Sequence, residues 1–153
     1  MDRTLRGLTA GIIAAIPKYL WNLIAYYWLH LNNLRFIDWS GMLMMGHIPD
    51  STLDFIFASF LLFLCDGIIG IAFTYLLGKT TSRGFIIKGL VFSYVVTFIF
   101  RTLVLFYRIP VLSDSQTSLR MMSSMFAGFL WGGLTGLILK WLDKASFFGK
   151  GTN

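Results

Sequence analysis

With 153 residues, 56% hydrophobic and only 13% charged, the chain is long enough for one domain and too apolar for a soluble one, in which about 25% of residues are charged. Its net charge of +6 comes from 13 Lys and Arg against 7 Asp, with no Glu, and the cations are scattered between apolar runs, which argues against a nucleic-acid-binding face. The single cysteine, Cys65, excludes an internal disulfide.

Four apolar runs reach the roughly 20 helical residues that a hydrocarbon core of about 30 Å requires. The first is expected from Gly7 to about Leu31 and contains "AAIPKYLWNL", where a proline and a lysine stand together. Pro17 cannot donate to the Ile13 carbonyl, so a kink is expected beside Lys18. Gly7, Gly11, Ala14, Lys18, Asn22 and Ala25 recur at spacings of three and four, a small and polar stripe on one helix face. A cleaved signal peptide is not expected, because the apolar run continues past Lys18 and no small-x-small site follows it.

The next stretch, 34–50, "LRFIDWSGMLMMGHIPD", is apolar but too short to cross a bilayer. It is expected to lie at the interface or to re-enter as a short helix, with Asp38 as a cap and Gly46 as a stop. The second span is expected over about 53–77, opened by "STLD" with Ser51 as N-cap and Asp54 at N3, and followed by Gly78. It carries Asp66 on a face with Ser59, Gly70 and Thr74. The third span, about 85–107, carries the ladder Gly89, Ser93, Thr97 and Arg101, with Pro110 just beyond it. The fourth, about 119–142, follows a cap at Thr117 or Ser118 and carries Ser124, Gly128, Gly132 and Gly136, a small-xxx-small ridge that lets helices approach closely.

The fold expected is all-α: a single transmembrane domain over 1–153, an integral membrane four-helix bundle with a short interfacial or re-entrant segment between the first and second helices. Arg3, Arg6, Lys79, Arg83, Lys88, Lys140, Lys144 and Lys150 fall on one side, against Arg35, Arg108 and Arg120 on the other, which orients both termini to the cytoplasm. Lys18 lies eleven residues in from Gly7 and Asp66 eleven from Leu77, so antiparallel helices bring them to one depth. An unpaired charge there costs about 2.5–3.5 kcal/mol on insertion scales, and pairing removes much of it. Asn22, Ser93, Thr97 and Arg101 are the expected polar core around this pair, with Arg101 either turned inward or snorkelling to the outer headgroups. The glycine ridges suit packing within one chain or between subunits.

"LRFIDWSGMLMMGHIP", with "LRGLTAGIIAAIPKYLWNLI" before it, "KGLVFSY" and the glycine-rich fourth span, resembles small four-span membrane proteins of Gram-positive bacteria. The resemblance covers most of the chain and implies a multi-pass protein of a bacterial cytoplasmic membrane; it implies no activity and no catalytic residue.

Motifs for enzymes are absent: no H-E-x-x-H, no G-x-S-x-G, no phosphate-cradling glycine loop. Lipid chemistry would need His47, Asp50 and Asp54 to meet near the headgroups, and nothing in their spacing demands it. No cofactor is expected, and no metal: His30 and His47, with Asp38, Asp50 and Asp54 nearby and Met42, Met44 and Met45 adjacent, show no fixed ligand spacing. The function expected is that of a non-enzymatic structural or accessory membrane protein that forms a homo-oligomer through helix faces. The alternative is an oligomeric channel or transporter for protons, ions or a small solute. Expected partners are anionic lipids at the cytoplasmic side and a further membrane protein, but no nucleic acid.

Overall fold

The computed structural model describes residues 2–78, 84–109, 112 and 117–148. Five helices follow one another: α1 (Arg3–Tyr27), α2 (Phe36–Met44), α3 (Thr52–Gly78), α4 (Phe85–Phe106) and α5 (Ser118–Phe148). Four of them, all but α2, are long and apolar enough to cross a membrane. The chain is thus an all-α, multi-pass membrane protein built as a four-helix bundle.

α1 begins and ends four residues earlier than the apolar run suggests. Hydropathy continues through Trp28 and Leu29, but His30 adopts a left-handed conformation (φ 50°) and Leu31 N–H folds back 2.8 Å from the Ala25 carbonyl. α3 opens as expected: the Ser51 hydroxyl accepts from Asp54 N–H at 3.1 Å and the Asp54 carboxylate accepts from Ser51 N–H at 3.3 Å. At α2 the cap differs from expectation. Arg35 is the N-cap, and Asp38, one turn inside, accepts its backbone N–H at 2.8 Å. Gly46 does stop α2, at φ 79°. Thr117 takes the position before α5, and its carbonyl accepts from Arg120 and Met121. Pro110, Lys79, Arg83 and Lys150 lie outside the described residues.

α1 packs on both α3 and α5, and α5 packs on α4, whereas the consecutive helices α3 and α4 touch lightly. The order across the bundle is therefore α3, α1, α5, α4. Burial follows it: within their most apolar stretches α1 and α5 are 33% and 39% buried, α3 and α4 only 22% and 17%. α3 and α4 meet where Phe73 stacks on Phe92, ring centroids 5.0 Å apart. At the opposite end α2 spans them, with the Ser40 hydroxyl donating to the Ala58 carbonyl of α3 at 2.9 Å and Trp39 5.9 Å from Phe100 of α4.

α2 sits below the helix ends. Its first residue, Phe36, donates its N–H to the Asn22 side-chain oxygen at 2.7 Å. Asn22 is five residues inside the end of α1, about 7.5 Å at a rise of 1.5 Å per residue.

Glycines set the seams. A methyl group on Gly11 would strike the Asp66 carbonyl, and one on Gly70 the Gly7 carbonyl, so α1 and α3 meet backbone to backbone. Gly89 and Gly132 oppose each other's carbonyls in the same way between α4 and α5, and a Cβ on Gly136 would lie 2.5 Å from the Phe85 carbonyl. Each glycine in a helix costs about 1 kcal/mol relative to alanine. In lipid, where apolar side chains gain little by leaving the solvent, close backbone packing is the compensation. The α1–α5 seam is built differently: Trp131 is buried against Ala14 and Ala15.

Candidate functional site

The geometry of the charge pair follows from the α1–α3 seam. Gly11 seats α1 on the backbone of α3 at Asp66, and two turns on along the same face comes Lys18. Lys18 Nζ donates to both carboxylate oxygens of Asp66, at 2.6 and 2.8 Å. The Asp66 side chain is 7% exposed and that of Lys18 19%. The Phe36 ring, carried in by α2, lies 5.4 Å from the ammonium, a cation–π contact that covers the pair from above. α1 stays helical through Pro17, and among the described residues no side chain takes up the Ile13 carbonyl that the proline releases.

The polar residues form two groups rather than the single core expected. Lys18, Asp66 and Asn22 belong to the α1, α2 and α3 side. Ser93 and Thr97 face α5 instead, and Arg101 reaches both α5 and α2. The Ser93 hydroxyl donates to the Leu90 carbonyl and packs against Gly132. Thr97 lies against Gly128. Arg101 donates to the Ser124 hydroxyl at 3.2 Å and rests on the Trp39 ring, 5.7 Å from its centroid. Among the described residues no hydrogen bond joins the two groups. An i+4 ladder on α4 identifies a shared face but not the helix opposite, and that helix is α5.

A second ion pair was not singled out by the sequence. Arg35 Nη2 and Nε reach Asp38 at 2.7 to 3.2 Å, and the guanidinium lies 4.9 Å from the Phe55 ring of α3. The hydrogen bonds to Asp38 raise the Arg35 pKa above the ordinary arginine value, against the opposing effect of burial. The i,i+3 spacing at the head of a short helix was the available signal. Two indoles tie α5 to α1: Trp131 Nε1 donates to the Gly11 carbonyl at 3.0 Å and Trp21 Nε1 to the Ser123 carbonyl at 3.3 Å. At the end of the bundle bearing the N-terminus, Arg6 pairs with Asp143 at 2.9 Å.

Chemically the central pair is closed. The carboxylate holds the ammonium with both oxygens, with the Phe36 ring over the ammonium and the Gly11 backbone against Asp66. Such a pair fixes helix register, and by itself it is not a relay, which needs polar groups at successive depths. No family model matches this sequence, and no curated protein or solved structure matches it either.

Proposed function

We propose that this chain is a non-enzymatic structural or accessory protein of a bacterial cytoplasmic membrane, with both termini in the cytoplasm, that works by holding itself and a membrane partner in place. The observation that carries this reading is the closure of the Lys18–Asp66 pair at 2.6 Å inside a seam already filled by glycine backbone. A charge committed in this way supports a fixed bundle better than a conducting one. The glycine faces of all four long helices are occupied by one another. Self-association therefore uses the outward faces, where α3 presents Phe57, Phe60, Leu64 and Ile68, and α4 presents Val91, Val95 and Phe98. Arg3 and Lys140 fall on the side of the N-terminus by sequence and suit anionic headgroups of the inner leaflet.

Native mass in mild detergent, paired with proton and ion flux in proteoliposomes, tests this. A small discrete assembly without flux is the expected result. A ring of four or more subunits whose flux disappears in Asp66→Asn would replace this reading with a channel.

A further inference from the structure

Beyond the bundle's packing role, the α2–α3 connection brings together three side chains that the sequence leaves apart. A ring nitrogen of His47 and one carboxylate oxygen each from Asp50 and Asp54 lie within 4.8 Å of one another. We propose that these residues form a binding site for a divalent transition-metal ion of the zinc class.

Charge points to a cation. Asp50 and Asp54 are two of the seven acidic residues in a chain of net charge +6. Among the described residues neither is paired with a Lys or Arg. Two carboxyl groups side by side can share one proton, as Asp50 and Asp54 do through a side-chain hydrogen bond, and a divalent ion displaces that proton with the charge both groups favour. Helix capping accounts for only part of the arrangement: it uses Ser51 and Asp54, with a further hydrogen bond between Asp54 and Asp50, and leaves the His47 ring outside it.

The histidine selects among cations and is set up to do so. His47 Nδ1 lies 3.1 Å from the Ile48 carbonyl. A carbonyl only accepts, so this contact is a hydrogen bond in the tautomer whose Nδ1 carries the proton, and that tautomer leaves Nε2 for an ion. Metal-ligating histidines are held in this way, one nitrogen on a backbone carbonyl and the other on the ion. Imidazole beside two carboxylates favours zinc-class ions over magnesium and calcium, which prefer all-oxygen shells. Zinc bonds of about 2.0–2.2 Å put tetrahedral ligands roughly 3.5 Å apart. His47 and Asp50 are exposed, so side-chain rotation closes the remaining distance while solvent fills the fourth position.

The backbone beneath is fixed by independent contacts. Gly46 turns the chain out of α2 at φ 79°, Pro49 is buried on Gly41, and the capping box anchors Asp54. An ion held there ties the loop after α2 to the first turn of α3.

The test is zinc titration of the purified full chain in detergent by calorimetry, with thermal unfolding measured alongside. One zinc per chain is expected, with a rise in Tm, and excess magnesium should not displace it. His47→Gln and Asp50→Asn should each weaken binding at least tenfold; His47→Gln should also leave the zinc-free Tm unchanged, since it lies outside the hydrogen bonds that Asp54 makes with Ser51 and Asp50. The proposal is overturned if the wild type binds no zinc. It is equally overturned if both variants bind zinc as the wild type does, which would place the ion elsewhere.

Discussion

Removing one member of the Lys18–Asp66 pair should cost far more than removing both. In Lys18→Met a near-isosteric apolar chain replaces the ammonium and strands a carboxylate that is 7% exposed. Loss of one partner of a buried pair costs about 3–5 kcal/mol, whereas exchange of both for apolar residues of similar volume is neutral or stabilising. The separate cost of about 2.5–3.5 kcal/mol for an unpaired charge at a helix centre is of the same size. Asp66→Leu should fall at the lower end, because the longer and more exposed Lys18 (19%) has room to turn toward the helix ends. Lys18→Met should fall at the upper end. The double variant should return to within about 1 kcal/mol of the wild type, a coupling of at least about 5 kcal/mol. The assay is equilibrium unfolding in mixed micelles, read by the fluorescence of Trp21 and Trp131, which both lie in the α1–α5 seam. Additive losses in the double variant would show that the pair is not the isolated, closed unit described above.

Two neighbouring glycines on α5 should respond oppositely to the same change. Gly132→Ala drives a methyl group into the Gly89 carbonyl and to 2.6 Å from the Ser93 hydroxyl, so it should destabilise by about 1–3 kcal/mol. Gly133→Ala places its methyl 3.5 Å from Leu90, ordinary contact, and should be neutral or gain up to about 1 kcal/mol from helix propensity; unfolding of the two variants side by side measures the difference. Asp38→Asn removes the carboxylate that holds the Arg35 backbone and guanidinium. It should cost about 2 kcal/mol and raise hydrogen exchange over α2 while α1 and α4 stay protected, and unchanged exchange at α2 would refute that role.

What the sequence discloses here is set by period and depth. Four spans follow from the length of the apolar runs, and the capping box at Ser51 from a four-residue pattern. Similar depths bring Lys18 and Asp66 together because antiparallel helices share one rise per residue, although the observed ends put Lys18 15 residues from the start of α1 and Asp66 12 from the end of α3 rather than at equal counts. What a single chain's pattern lacks is the identity of the neighbour. Gly89, Ser93, Thr97 and Arg101 read as one face, yet whether that face meets α1 or α5 depends on the α3, α1, α5, α4 order. That order rests on contacts such as Trp131 to Gly11, 120 residues apart. The end of α1 was misplaced for a different reason: a left-handed residue at His30 reverses the chain inside an apolar run, and hydropathy carries no record of φ. His47, Asp50 and Asp54 were likewise dispersed, because the fold of the α2–α3 loop, not their spacing, draws them together.

The same residue holds α1 in register twice. Gly11 rests its Cα against the Asp66 backbone while its carbonyl accepts from Trp131 of α5, so three helices meet at that point. Seven residues further along, Lys18 returns to the Asp66 side chain. A slip of α1 by one turn, about 5.4 Å, would in one direction put Ala14 or Ala15 where only a glycine fits, and in either direction would break both bonds to the carboxylate and unseat the Trp131 hydrogen bond together. Each loss alone is a few kcal/mol, and they cannot be taken one at a time. Motion along this seam is therefore closed to the bundle.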